Sequence, residues 1–322
     1  MSTATLVPET WELTGDDAWQ TLRHTGRVRL LKDAFVRMRY SDGFSHTRSL
    51  AWVMSLVLVQ ATIVLVGVAS AMGDTHISTG IVNAIQSAVP GPAGQVLTSA
   101  VDQAHHAGLS RRYLALGLGS IGLIVSATTG MGQLERGLNR IYGVELDRPF
   151  PRKYGLGLLL ALSAGTLAAV AIAAVGFGSA IGDALDNEEL ALTWSIVRWP
   201  LSLAIMMAVT ALLFHWCPRR HQPSWSWLLF GSGVSVVLWF IVTLAMGLVF
   251  RVSHSFGDTY GPLAGIVALQ LWCMLSSMTI LFGGAVAAQL EAARSGRRQP
   301  QDEVKIDQSE PDAVPALAQV PA

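Results

Sequence analysis

Residues 227–250 read WLLFGSGVSVVLWFIVTLAMGLVF, without one charged side chain. The uncharged run around them reaches from Arg220 to Arg251. A helix of about 20 apolar residues crosses a hydrocarbon core about 30 Å thick, so this run is long enough to span a bilayer. Backbone polar groups in hydrocarbon must be satisfied within the segment, which makes the run a helix. Working outward, no Lys, Arg, Asp or Glu occurs between Arg48 and Asp74, Arg112 and Glu135, Lys153 and Asp183, Arg198 and Arg219, or Asp258 and Glu291. The expectation is an all-α membrane protein with six transmembrane helices, over about 49–73, 113–134, 155–180, 199–217, 227–250 and 262–289.

Composition agrees: 51% of residues are hydrophobic and only 14% charged, against about 25% charged in a soluble domain. Net charge is zero, so no overall field draws in nucleic acid. The N-terminus lacks a basic start followed by an apolar run, so no cleaved leader is expected and the first span serves as the insertion signal. Cys217 and Cys273 lie in or near apolar helices and read as small hydrophobes, not as a disulfide or a metal-ligand pattern.

Charge also sets the orientation. Of the 22 Lys and Arg, 18 fall on one set of flanks: before span one, between spans two and three, after span four and after span six. Only Arg111, Arg112, Arg198 and Arg251 lie on the other. Because cytoplasmic loops carry the basic excess, both termini are expected in the cytoplasm. Residues 1–15 show no periodicity and are expected to be flexible; 16–48 form a cytoplasmic amphipathic stretch; 49–292 hold the six spans; 293–322 are polar, proline-rich and expected to be disordered. In the second of these, Trp19, Leu22, Leu30, Leu31, Phe35 and Met38 interleave with Arg and Lys, which suits a helix on the inner membrane surface or one packed beneath the bundle. The first outer loop carries two apolar stripes at helical spacing around Pro90-Gly91-Pro92, read as two amphipathic helices that pack on the bundle.

Polar side chains inside apolar spans are costly, which makes them the candidates for a pathway or gate. They are Gln60 in span one, Thr128 and Gln133 in span two, Gln270 in span six, and Asp258 and Tyr260 in the loop before it. In 129–143, TGMGQLERGLNRIYG, Glu135 and Asn139 stand four apart on a helix that continues past span two, where they can hydrogen-bond or compensate a cation. The plainer reading is that such residues tie helices together or end them. No ionisable residue sits at mid-span, which argues against a carboxylate proton relay. No catalytic, cofactor or metal-ligating set is expected.

Three stretches carry a family likeness: Leu134-Glu135-Arg136-Gly137-Leu138-Asn139-Arg140-Ile141-Tyr142-Gly143; Trp227 to Trp239; and Tyr260-Gly261-Pro262-Leu263-Ala264-Gly265 through Leu271-Trp272 to Gly283-Gly284-Ala285. With six spans, they resemble the YihY/BrkB family of bacterial inner-membrane proteins over about residues 30–292. That resemblance implies a six-helix bundle of the bacterial cytoplasmic membrane with both termini inside. Members were long labelled ribonuclease BN, a label now regarded as mistaken; others are described as transporters or envelope-integrity proteins, with lipopolysaccharide or lipid export suggested for some. The family's first helix usually runs into a proline, which Leu58-Val59-Gln60-Ala61 lacks here.

Three functions follow. The first is a transporter or lipid-handling protein whose partners are membrane lipids. The second is a non-transport scaffold. The third, a membrane-bound ribonuclease, is disfavoured because metal-assisted hydrolysis needs clustered ligands and the eight histidines are scattered. Arg136, Arg140, Arg148 and Arg152 form an inner basic belt that either holds anionic headgroups or only fixes orientation.

Overall fold

The structure is a computed structural model that describes residues 3–72, 75–106, 109–176, 188–252 and 263–302. The described chain forms α1 Gly15–Thr25, α2 Arg27–Tyr40, α3 Gly43–Met72, α4 Thr75–Ala88, α5 Gly91–His106, α6 Leu109–Ile141, α7 Phe150–Gly176, α8 Glu188–Trp216, α9 Trp225–Val252 and α10 Ala264–Arg294. Among the described residues, five helices are long and apolar enough to cross a membrane: α7, α9, α10, and the Gly43–Val68 and Glu189–Trp216 parts of α3 and α8. The helices outrun the sequence-based bounds, because α3 starts at Gly43 instead of 49 and α10 continues to Arg294 instead of 289. A charged side chain does not stop a helix where the helix leaves the hydrocarbon.

The outside of the bundle is apolar. On α9, Val237, Ile241, Leu244, Leu248 and Val252 are all more than half exposed, at spacings of three and four that keep them on one face. Such a surface in water would be an aggregation liability; facing acyl chains it is the expected solvent contact. The chain is a multi-pass membrane protein. α6 behaves in the same way, with Leu118, Ile121 and Val125 pointing outward.

α3 and α6 run antiparallel and pack together more extensively than any other pair. Glycines on α6 admit the partner helix along the whole contact. A Cβ on Gly137 would meet His46 Cβ at 3.4 Å, one on Gly130 would meet Val53 at 3.3 Å, and one on Gly119 would meet Ile63 at 3.3 Å. Close backbone approach of this kind replaces the hydrophobic drive that is missing between helices in lipid. α9 and α10 pair through Gly231 and Gly283 and are joined by two hydrogen bonds, Trp239 Nε1 to Ser276 Oγ (3.1 Å) and Trp272 Nε1 to Thr243 Oγ1 (3.2 Å). Pro200 lies inside α8, and two residues on Ser202 donates to the Ala171 carbonyl of α7 at 3.0 Å, tying the two helices together beside the interruption.

The two stripes around Pro90 are helices α4 and α5. Val89, Ala93, Leu97 and Val101 recur every four residues and are buried, the first three in one cluster with Met246, Leu269, Trp272 and Cys273. The pair is wedged into the end of the bundle away from the termini, where it packs as part of the core.

At the other end the structure departs from the reading of 1–15 as flexible. Residues 3–14 form an extended strap with Ala4 and Val7 buried. Thr3 N–H donates to Tyr40 O (2.9 Å), Val7 N–H to Tyr142 O (3.1 Å) and Thr5 N–H to Pro300 O (3.2 Å), and Ala4 bridges Gln301. The start of the C-terminal tail therefore packs against the strap, and both ends of the described chain meet on one face. The amphipathic stretch 16–48 is two helices and the start of a third. Gly26, at φ 83°, breaks α1 from α2 in a conformation that L side chains rarely adopt.

Candidate functional site

Charge inside the structure collects at the end that holds the termini, in two linked groups. In the first, Glu135, only 2% exposed, accepts from the Arg148 backbone N–H (3.2 Å), and its carboxylate lies 3.4 Å from Arg148 Nη1. The Arg148 guanidinium also donates to the carbonyls of Cys217 (2.6 Å), Pro218 (2.8 Å) and Trp216 (3.2 Å), which are the open end of α8. Asn139, fully buried, donates through Nδ2 to Asp147 Oδ1 (3.2 Å) and accepts from the Arg219 backbone N–H (2.7 Å). Glu135 and Asn139 thus both hold the α6–α7 connection, and Asn139 also holds the α8–α9 connection, against the end of α6. Both are integral to how the bundle closes.

Asp147 is the electrostatic centre of that group. Arg136 Nε and Lys153 Nζ each lie 3.0 Å from its Oδ2. Burial alone would raise its pKa, but hydrogen bonds from Lys153, Asn139 and Arg136 outweigh burial and bring it down to about 2. A carboxylate depressed below its ordinary 3.8 contributes stability that is present above that value and lost as the pH falls through 2. Acid titration of the purified protein should loosen residues 144–149 between about pH 4 and 2, and Asp147→Asn should remove that pH dependence. With the side chain 18% exposed, the effect is on the order of 1 kcal/mol. Hydrogen exchange across the loop, corrected for intrinsic rates, reads it directly.

The second group lies under the N-terminal strap. Arg37 on α2 is fully buried, donating to Gln289 Oε1 (2.7 Å), Thr5 O (2.9 Å) and Ile141 O (3.1 Å). Burial lowers its pKa to about 10, so it stays charged at neutral pH. Arg220 and Glu291 pair at 2.6 Å with both side chains inaccessible. Thr10 Oγ1 donates to the same carboxylate oxygen, and Arg220 stacks 4.6 Å from the Tyr142 ring. Burial, then the Glu291 charge, pushes the Tyr142 phenol upward. Burial likewise raises the Cys217 thiol to about 12, so it is unreactive. Sequence reasoning missed Arg37, Arg220, Gln289 and Glu291 as a unit. The available signal was a Gln and a Glu at the end of an otherwise apolar helix.

The other sequence-predicted residues are not brought together into one site. Gln60 faces Gly122 across the α3–α6 contact, where a Cβ would lie 2.8 Å from its Nε2. Thr128 is further along α6 and backs onto α7, its carbonyl oxygen 3.1 Å from where a Cβ on Gly157 would stand. Gln133 and Gln270 are half-buried on α6 and α10. Asp258 and Tyr260 lie outside the described residues. Ser276 and Ser277 are buried, with Ser276 accepting from Trp239, a helix-joining role.

What the sequence did not show is a groove of about 580 Å³ between α2, α9 and α10, lined by Leu31, Phe230, Gly233, Val234, Val237, Leu238 and Phe282 among others. It is almost wholly apolar and opens sideways, toward the surface that faces acyl chains. Among the described residues, no group of three or more His, Cys, Asp or Glu stands close enough to hold a metal ion.

A family model described as virulence factor BrkB matches residues 34–307. The ribonuclease-like protein YfkH of Bacillus subtilis (strain 168) is 27% identical over 269 residues, covering 82% of this chain and 95% of that protein. A UPF0761 membrane protein of Xanthomonas campestris pv. campestris (strain B100) is 26% identical over 275 residues, covering 81% of this chain and 60% of that protein. One from Xanthomonas axonopodis pv. citri (strain 306) has the same identity, with 81% and 61% covered. The chain thus spans about three fifths of the length of the Xanthomonas relatives. No solved structure matches significantly.

Proposed function

The chain belongs to the virulence factor BrkB family of membrane proteins, and from that premise we propose that it is a six-span protein of the bacterial cytoplasmic membrane that moves or positions lipid-like amphiphiles. Six spans are supported by parity and by packing. The two ends of the described chain pair with each other at Ala4 and Gln301, which favours an even number of crossings. Five helices already qualify among the described residues, and α6, packed along α3 and apolar on its outer face, is the candidate for the sixth. The excess of basic residues at the termini supports putting that end in the cytoplasm.

The lateral groove carries the functional reading. A hydrated solute needs a polar path, because uncompensated polar groups in hydrocarbon are costly. An apolar slot open to the membrane instead takes an apolar chain that enters from the side. Gly233 gives a direct test, since it lines the groove and a Cβ there would meet only Met207 Cε, at 3.7 Å, an ordinary contact that leaves the first added atom unstrained. The full chain reconstituted in vesicles with fluorescent phospholipid should accelerate transbilayer exchange, read by quenching from outside with a membrane-impermeant reductant. Gly233→Phe should return the rate to within about twofold of empty vesicles while leaving the fold intact. Exchange no faster with the wild-type protein than without it would overturn the lipid-moving reading.

A further inference from the structure

The groove has a charged lip, and that lip defines what it holds. Trp19 on α1 lies 6.4 Å from Phe230, which forms one wall, and Arg23 sits over the outer face of Trp19, 5.1 Å from its ring. Across the groove Leu31 forms the α2 wall, and the next residue, Lys32, is exposed beside it. One basic residue is thus stacked on a ring that neighbours the groove wall, and another follows a wall residue directly in the chain. The other exposed groups of α2 repeat the pattern, with Val28 and Phe35 one turn to either side of Leu31 and Lys32. Helices that expose apolar and basic side chains together rest at the headgroup boundary.

Of the acidic residues on these two helices, Asp33 pairs with Arg29 at 3.9 Å and Asp17 with Arg294 at 2.9 Å, which leaves Asp16 as the exposed carboxylate of α1. Three of the four arginines of the other basic belt are engaged within the protein, while Arg152 is exposed. Arg136 is engaged by Asp147, Arg148 by Glu135 and the end of α8, and Arg140 by the carbonyls of Val144 and Glu145.

Length fits as well. The α9 wall runs from Leu229 to Leu238, roughly 14 Å at a helical rise of 1.5 Å per residue, which is about the depth of one leaflet. We infer that the groove is a binding site for one anionic glycerophospholipid of the inner leaflet, an acyl chain lying along α9 and the phosphate held between Arg23 and Lys32. This names the ligand class of the groove and rests on the lipid-handling reading above. The aromatic ring under Arg23 suits the site, because it holds the guanidinium at the interface without neutralising it.

The test is native mass spectrometry of the full chain in mild detergent, offered equal amounts of phosphatidylglycerol and phosphatidylcholine with the same palmitoyl and oleoyl chains. The expected result is one retained lipid, with phosphatidylglycerol favoured roughly fivefold or more. Arg23→Gln with Lys32→Gln should bring that preference near unity while a lipid is still retained. Gly233→Phe should abolish retention of both lipids, and excess glycerol phosphate should not displace the bound one. Equal retention of the two lipids by the wild-type protein, or a preference unchanged in the double variant, overturns the anionic site while leaving the lipid-handling reading standing, provided Gly233→Phe still empties the groove. Full retention by Gly233→Phe overturns both.

Discussion

Glu291→Ala is expected to destabilise the protein by about 3–5 kcal/mol, the usual cost of removing one partner of a buried ion pair. The carboxylate and Arg220 are 0% and 1% exposed and 2.6 Å apart. Without Glu291, Arg220 keeps its charge in a site that water does not reach, with the carbonyls of Val7 and Pro8 as its remaining long-range acceptors. The loss should also be local, because Thr10 donates to the same oxygen. Residues 3–14 should exchange backbone hydrogens faster, and the thermal midpoint in detergent should fall by several degrees. Arg220→Met with Glu291→Leu should recover most of the loss, since a buried pair replaced by apolar groups of similar size is often neutral. A single Glu291→Ala variant as stable as the parent would show that the pair is not buried.

Gly283→Leu is expected to cost at least the 1–3 kcal/mol typical of an overpacked core, and to separate α9 from α10. A Cβ on Gly283 would run into Ser235 Oγ and lie 2.5 Å from the Gly231 carbonyl, while one on Gly231 would lie 2.6 Å from the Gly283 carbonyl. Backbone stands opposite backbone, so no rotamer change relieves the clash. The matched control is Gly117→Ala on α6, where nothing lies within 4 Å of the added atom. That change should be neutral, or stabilising by up to about 1 kcal/mol from the better helix propensity of alanine. Thermal unfolding of the two variants side by side reads the difference. Equal stabilities would mean that α9 and α10 are not in close contact.

The spans were legible because hydrocarbon excludes charge. A list of where Lys, Arg, Asp and Glu do not occur is already a list of helices, and the stripes around Pro90 were plain from their period. The strap was not legible. Nothing within residues 3–14 specifies its conformation, which is imposed by Arg37, Tyr142, Arg220 and Glu291, drawn from four separate parts of the chain. Glu135 and Asn139 could be picked out from their own segment, yet their partners Arg148, Asp147 and Arg219 became visible only when two loops closed onto the end of α6. The groove was hidden for a related reason. Leu31, Phe230 and Phe282 look like ordinary apolar residues until α2, α9 and α10 are set side by side. Local pattern finds elements; sites made by distant segments need the assembled bundle.

The two groups of buried charge and the groove lie at the same end of the bundle, the end with the basic excess. The amphiphile-handling reading requires that end to face the cytoplasm. With Cys217 and Cys273 replaced by alanine, single cysteines placed at Gln299 and at Asn187, in the α7–α8 connection, can be challenged with a membrane-impermeant maleimide. In spheroplasts Asn187→Cys should react and Gln299→Cys should not, and in inverted vesicles the pattern should reverse. Labelling of Gln299→Cys from outside, or of both positions from the same side, would contradict the six-span arrangement and the inner-leaflet groove built on it.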